Sequence, residues 1–396
     1  MNSKEPITVA QARAIIAANV NPVPPAFYYI ENTAGLTLAE DVYAPVSLPA
    51  FDQSSMDGYA IRFDEISETL TVQGESQAGA VSVMELQNHH AIRIFTGAPL
   101  PPGADTVIMQ EKVFDAPDGL RIESGTTQRG ANTRRAGAEL KKGELILENG
   151  TKISPAITGL LASMGITGVL VFPPPSVCII ATGKELRKPG EFLQFGEVYE
   201  SNAFFLNAAL RKLCIGNIRI FYAPDDLSVI KDYLHNALNQ ADVILFTGGI
   251  SIGNYDFVRQ AADENGVQCR FHRVRQKPGK PFYFGTKQNK PVFALPGNPG
   301  SVITCFYEYI LPALKHMMQQ TAPEATTGIL KESYHKVPGL TQFLKGYIED
   351  GVVEILEAQE SFRLRSFASA NCLVNLDEDR TEYDEGEVVQ INMIPD

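Results

Sequence analysis

The stretch from Ala241 to Val258, ADVILFTGGISIGNYDFV, constrains this chain more than any other. Val243 to Phe246 form an uninterrupted apolar run, β-branched at its start. Such a run predicts a strand buried on both faces, as in a parallel sheet. It stops at Thr247-Gly248-Gly249, and a helical pattern opens after Tyr255. A strand, a glycine turn and a helix start make a natural phosphate site. Glycine lets the backbone come close, and N–H groups at the turn point at the anion. The spacing is neither a Walker A nor a GxGxxG fingerprint. Asp256 follows nine residues after Thr247. A carboxylate beside a phosphate cradle suits a bridging metal, because Mg²⁺ joins one or two carboxylates to substrate phosphates. The alternative is a tight βα turn with Asp256 as a helix cap. This stretch alone leaves both open.

The same pattern recurs around it. PPPS at 173–176 marks a boundary, after which strands and helices alternate. VCIIA (177–181) runs into Thr182-Gly183-Lys184-Glu185-Leu186. A helix follows Ser201, with Phe205, Ala208, Ala209 and Leu213 on one face. After a strand at 218–223, Pro224-Asp225-Asp226 opens a helix to about Gln240. A strand at 266–272 precedes the basic turn Lys277-Pro278-Gly279-Lys280-Pro281. A strand at 292–295 enters Pro296-Gly297-Asn298-Pro299-Gly300-Ser301, and a long helix runs on to about Met318. This βα repeat predicts a doubly wound parallel sheet. In such a sheet the carboxyl ends of the strands open on one edge, where ligands bind. Three glycine loops at that edge favour one shared site. Lys277 and Lys280 on a stiff turn suit an anion. Glu185, Asp225, Asp226 and Asp256 lie just past strand ends, and carboxylates clustered near lysines favour a metal-dependent site. Each acidic residue alone also reads as a helix N-cap, Asp226 above all.

Elsewhere the signals are shorter. Thr8 caps a helix to about Asn19, ended by NPVPP. FDQSSMDGYAI (51–61) is a loop in which Asp57 is either a ligand group or half of an Asp-Gly hairpin turn; locally the turn is favoured. Residues 62–138 read as short strands without a helix. Arg134 and Arg135 lie near Gly130 and Gly137, as either an anion site or a solvated loop. GELIL and TKIS around Glu148-Asn149-Gly150 read as a hairpin, and Ser154-Pro155 opens a helix. TAPEATTG, from 321, looks like a linker, and VVEIL, CLVNL and VVQINMI predict a small antiparallel β domain.

At 396 residues the chain is too long for one ordinary core. Four domains are expected. They are a discontinuous linker domain (1–50 with 139–172), whose N-terminal helix can pack on the α/β domain, an inserted β-rich domain (51–138), the α/β domain (173–320) and a C-terminal β domain (321–396). The net charge is −12 and no long basic run exists, which argues against a nucleic-acid partner. Five cysteines without CxxC spacing argue against a disulfide framework or zinc ribbon, and Cys178 and Cys305 lie in apolar, core-like runs. No apolar run approaches the roughly 20 residues of a membrane helix, and MNSKEPITV has no signal h-region. A cytoplasmic chain without a membrane partner is expected.

FDQSSMDGYAI, TGAP, TGKEL, TGGISIGNYDF, KPGKP, PGNPGS and SFRLRSFASAN occur in that order. Together they resemble the molybdopterin molybdenumtransferases, the MoeA and gephyrin E-domain family, over essentially the whole chain. The resemblance implies a multidomain, elongated chain with a molybdopterin-binding α/β domain, an inserted β domain and a C-terminal small β-barrel. It implies a homodimer, with a cleft between the α/β and C-terminal domains of one subunit and the inserted domain of the other. It implies that adenylylated molybdopterin and molybdate, with Mg²⁺ or a similar divalent cation, yield molybdenum cofactor and AMP. Molybdopterin adenylyltransferase and molybdoenzyme maturation factors are the partners it suggests. Carried over by motif, Asp57, Glu185, Asp225 or Asp226, and Asp256 are the acidic set, with Glu185, Asp225 and Asp256 at the metal. Thr182, Gly183 and Thr247 flank the cradle, while Gly248, Gly249, Ser251 and Gly253 hold the pterin phosphate side. Pro296, Gly297, Asn298 and Pro299 shape the pocket, and Lys277, Lys280, Ser301 and Lys345 meet oxyanion oxygens.

The chain departs from the family at Lys184, where Asp is frequent, and at Ala136, where many relatives have a third Arg. It has Ala138-Glu139 for an acidic pair, and Lys345 where Arg is common, which loses a planar fork. These departures leave open a variant oxyanion such as tungstate. Two alternatives remain at this stage: a molybdopterin adenylyltransferase, and a non-catalytic molybdopterin-binding scaffold.

Overall fold

The computed structural model describes residues 5–79, 82, 84–123, 125, 127–250, 256–321 and 325–395. They divide into two compact units, Met1–Ala26 with Gly35–Thr37 and Val171–Asp396, and Phe27–Ala34 with Leu38–Leu170.

The larger unit starts with α1 (Val9–Asn19). Thr8 Oγ1 accepts from the Gln11 N–H, and the Gln11 side chain accepts from the Thr8 N–H, a reciprocal cap. Val9, Ala12 and Ile16 bury one face of α1 in the α/β core. That core surrounds β1 (Val177–Thr182), α2 (Asn202–Lys212), β2 (Ile218–Ala223), α3 (Leu227–Gln240), β3 (Val243–Thr247), α4 (Phe257–Glu264) and β4 (Gln268–Phe271). The short β5 (Gln276–Lys277) precedes β6 (Tyr283–Lys287), β7 (Lys290–Leu295) and α5 (Pro299–Cys305). A π-helical segment, Phe306–Ile310, joins α5 to α6 (Leu311–Met317). The sheet order is β2-β1-β3-β7-β6-β4. The first four strands are parallel, as expected, while β6 and β4 are antiparallel additions. All five residues of β3 are buried, as its apolar run demands. The register pairs Ala181 with Thr247 and Thr247 with Leu295, so the carboxyl ends of β1, β3 and β7 finish in line. In α2 the inward face is Ala203, Leu206 and Leu210; the expected Ala208 is exposed.

The C-terminal part is a closed small barrel of β8 (Thr326–Leu330), β9 (Thr341–Glu349), β10 (Val352–Ile355), β11 (Cys372–Leu376) and β12 (Val388–Met393). β9 pairs with both β10 and β11, which closes the ring. The pairing is antiparallel except between β8 and β10. β8 begins inside the stretch expected as linker, because its Thr326–Ile329 pair with β12. β5 adds to β9 in parallel, so the basic turn begins at the barrel edge.

The smaller unit holds a four-stranded sheet in the order Thr71–Ser76, His90–Ile94, Gly58–Ile61, Thr106–Met109. Ile61, Leu70, Ala91, Ile108 and Leu120 form a core beneath it. Two sequence expectations fail here. Leu145–Leu147 pairs with Val42–Tyr43 rather than with TKIS, so 139–153 is no hairpin. Asp57-Gly58 makes no hairpin turn either, because Gly58 is already in a strand paired on both sides. Among the described residues, no helix is long and apolar enough to cross a membrane.

Candidate functional site

Parallel strands expose their carboxyl ends on one edge. There, a cavity of about 620 Å³ is lined by Thr182 and Gly183 after β1, Asp225 after β2, Thr247, Gly248 and Gly249 after β3, and Gly297 after β7. Glu185, Lys184, Asn202 and Phe257 complete its wall. The glycines at 248 and 249 are required by space. Both have positive φ, and a Cβ at Gly248 would lie 2.2 Å from the Thr182 carbonyl oxygen. The Thr182 and Thr247 hydroxyls are buried, with no hydrogen-bond partner among the described residues. Both hydroxyls lie behind the wall, with no surface open to the cavity.

The acidic residues separate by role. Glu185 and Asp225 line the cavity. Asp226 does not; it caps α3, accepting from the Ser228 N–H at 2.8 Å and the Val229 N–H at 3.2 Å. Bonds from the Ser228 hydroxyl and these amides hold its carboxyl below its ordinary range. Asp256 caps α4 through the Arg259 N–H at 3.0 Å, and burial pushes its carboxyl up. It is not among the residues lining the cavity. The capping alternative is therefore realised at both positions. Among the described residues, no group of three His, Cys, Asp or Glu side chains could hold a metal. Glu185 and Asp225 thus share one wall while Asp256 caps α4, and one or two carboxylates beside phosphate oxygens and water are what Mg²⁺ takes. Ser251 and Gly253 lie outside the described residues.

A second cavity, of about 560 Å³, is lined by Lys277, Gly279, Lys280, Pro296, Asn298 and Ser301 with barrel residues including Gln342 and Glu360. Both lysines are exposed and Ser301 is buried at the start of α5. The turn 296–301 thus serves both cavities, Gly297 in the first and its neighbours in the second. Ser361 pins this turn. Its carbonyl accepts from the Gly300 N–H at 2.7 Å, and its hydroxyl accepts from Asn298 Nδ2 at 3.0 Å. From the other side, Asn202 Nδ2 donates to the Gly297 carbonyl at 2.8 Å. Pro299 lines neither cavity; it fills the first position of α5, where its missing N–H costs nothing.

Lys345 departs from its expected role. It is buried, and its ammonium donates to the carbonyls of Ala358 (2.5 Å), Arg363 (3.2 Å) and Glu360 (3.4 Å). Its three donors tie down the loop after β10 instead of facing an oxyanion, and burial lowers its pKa. Arg135 likewise pairs with Asp52 at 2.6 Å, and Asp52 also accepts from the Ala136 N–H.

In the smaller unit, Asp57 Oδ1 accepts from the N–H and the hydroxyl of Thr96, both at 2.8 Å. The Thr96 amide bond is the main reason its exposed carboxyl lies below the ordinary range. SMDGYA and TGAP therefore form one device, in which Asp57 is held ionised. Thr96, Asn202 and Ser361 were not singled out from the sequence. Thr96 and Ser361 sit inside noticed motifs, but nothing in the sequence marks Asn202 as more than a helix residue.

Residues 7–165 match the MoeA N-terminal region (domain I and II). Residues 178–316 match a probable molybdopterin binding domain, and 327–394 match the MoeA C-terminal region (domain IV). The chain is 34% identical to a molybdopterin molybdenumtransferase of Haemophilus influenzae, covering 97% of this chain and 98% of that one. It is also 34% identical to molybdopterin molybdenumtransferase 2 of Mycobacterium tuberculosis, with the same coverage. The solved structure of the molybdopterin biosynthesis MoeA protein of Pyrococcus horikoshii superposes with a TM-score of 0.84 at 30% identity, covering 98% of this chain and 99% of that one. With the cavity edge, the pinned turn and these matches in agreement from end to end, the chain belongs to the MoeA family of molybdopterin molybdenumtransferases.

Proposed function

We propose that this chain is a molybdopterin molybdenumtransferase that converts adenylylated molybdopterin and molybdate into molybdenum cofactor and AMP. One observation carries the reading: the turn 296–301 walls both a glycine-cradled cavity and a basic one. Two anions, a phosphoanhydride and a free oxyanion, can thus be held on either side of one pinned turn. The Gly248 and Gly249 backbone suits the phosphate side. Lys277, Lys280 and Ser301 suit molybdate, which has no covalent handle and needs several donors. Glu185 and Asp225 would hold Mg²⁺ or a similar cation. When bound, such an ion offsets charge on the leaving phosphate. Asp57, kept ionised by Thr96, supplies a further carboxylate for orienting substrate. Lys184 places a cation beside Glu185, which adds anion attraction where relatives frequently carry Asp.

Relatives that match from end to end favour this reading over an adenylyltransferase, which would not require the barrel or the Asp57 loop. The cytoplasm suits a chain whose five cysteines are all free thiols. Adenylyltransferase and maturation factors are its expected partners.

The test is AMP release from adenylylated molybdopterin, with and without molybdate and Mg²⁺. Release that requires both is expected. Asp57→Ala and Asp225→Asn should each fold and lose at least about 100-fold in rate. Tight pterin binding without release would replace the reading by a scaffold, and formation of adenylylated pterin from ATP would replace it by an adenylyltransferase. A homodimer is part of the proposal, carried by the family resemblance. Light scattering should give twice the 43.3 kDa chain mass, and a monomer at working concentration would overturn that part.

A further inference from the structure

The basic turn Lys277-Pro278-Gly279-Lys280 rests on a buried polar chain that the reading above does not use. Gln276 has no exposed surface, and Tyr309 is 1% exposed. Gln276 Nε2 donates to the Pro278 carbonyl at 3.0 Å and lies 3.5 Å from Cys305 Sγ. Gln276 Oε1 accepts from the Tyr309 hydroxyl. Only one orientation of the Gln276 amide satisfies both contacts. A carbonyl only accepts, so the amide must turn its NH₂ toward Pro278, and its oxygen then requires a donor, which is Tyr309. The Tyr309 ring is stacked on Phe282, with centroids 4.7 Å apart, just past the end of the same turn. The turn sits directly on this support: a Cβ at Gly279 would lie 2.7 Å from Cys305 Sγ and 2.8 Å from Gln276 Nε2. Ser301, Cys305 and Tyr309 recur every four residues from α5 into the π segment. One continuous helix therefore lines the basic cavity with Ser301 and supports the basic turn with Cys305 and Tyr309.

We propose that Gln276 and Tyr309 are positioning residues for the oxyanion, fixing the turn so that the Lys277 and Lys280 ammonium groups stand at a set spacing. This rests on the reading of that cavity as the molybdate site. Neither residue lines the glycine-cradled cavity, so the effect is selective. Losing the Tyr309 hydroxyl leaves a buried amide oxygen without a donor and frees the amide to release Pro278. The lysines then lose their spacing, while the pterin side keeps its contacts.

The experiment measures AMP release by the full chain against molybdate and against adenylylated molybdopterin. It compares wild type, Tyr309→Phe, Gln276→Met and Lys277→Ala. Gln276→Met keeps the volume and adds no charge to the cavity that Gln276 itself lines, but can neither donate to Pro278 nor accept from Tyr309. Both supporting variants are expected to raise half-saturating molybdate about tenfold, with half-saturating pterin unchanged. Lys277→Ala is expected to raise half-saturating molybdate as well. If Lys277→Ala leaves the molybdate response untouched, the cavity is not the oxyanion site and the underlying reading fails. If only Lys277→Ala responds, the positioning role alone is overturned. Equal shifts for molybdate and pterin would mean general loosening and also overturn it. Should Tyr309→Phe not fold, Gln276→Met decides by the same split.

Discussion

Alanine at Gly248 is expected to cut AMP release at least about 100-fold, whereas alanine at Gly297, on the facing turn, leaves the fold intact. Gly248 has φ +82°, a region where any side chain costs roughly 1–2 kcal/mol. The larger problem is the neighbour. The new Cβ would lie 2.2 Å from the Thr182 carbonyl oxygen and 3.1 Å from its hydroxyl. That oxygen is backbone at the end of β1, and Thr182 is held in register with Ala223 of β2. It cannot swing aside as a flexible side chain would, so the glycine turn itself must move. A shift of about 1 Å at a positioning group commonly costs about 100-fold in rate, because anion donors act only over a narrow distance. Gly297 lines the same cavity, but a Cβ there meets nothing nearer than the Gly248 Cα at 3.9 Å, an ordinary contact. Pterin binding and thermal midpoints of both variants check the contrast. Near-normal binding and turnover in Gly248→Ala would show that the cradle does not hold the phosphate.

The same turn shows what a sequence can disclose. Val243–Phe246 followed by Thr-Gly-Gly required a buried strand and a close backbone approach, and both are present. Those are local consequences of apolar run length and of glycine. The destinations of charged side chains were not local. Asp225 and Asp226 are adjacent, yet one lines the cavity and the other caps α3; which does which depends on where the helix starts. Lys345 carries the expected charge, but its burial comes from the loop after β10 folding back over β9, which no spacing within QFLKGYI announces. The 139–153 hairpin failed for a related reason: Leu145–Leu147 finds its partner at Val42–Tyr43, about a hundred positions earlier. Gln276 and Tyr309 were invisible because a π-helical segment helps set where Tyr309 faces.

Arg13→Met is expected to destabilise the larger unit by about 3–5 kcal/mol near pH 8, with most of that loss recovered near pH 5. Glu308 lies in the π segment with a fully buried side chain. Arg13 of α1 and Asn392 of β12 bond its two carboxylate oxygens, so one buried acid ties together both ends of the chain and the long helix. Burial raises the Glu308 pKa, and Arg13 opposes that rise. Removing Arg13 leaves a buried carboxylate with only a neutral partner, which drives the pKa further upward. The sign follows from linkage. A carboxyl whose folded pKa lies above its unfolded value contributes most below the unfolded value, near 4.5, and that contribution is lost as pH rises through the folded value. The variant should therefore weaken as pH rises, and Arg13→Met/Glu308→Gln, which has nothing to ionise, should not follow it. Thermal midpoints of both variants at the two pH values provide the check. At pH 8 the double variant should be the more stable, and the gap should close near pH 5. A gap of equal size at both would mean that Glu308 is not the titrating group. The cluster's place gives it a bearing on function. It anchors the far end of the helix whose first turn carries Ser301, so loosening it in Arg13→Met should also weaken the wall shared by the two anion cavities at high pH.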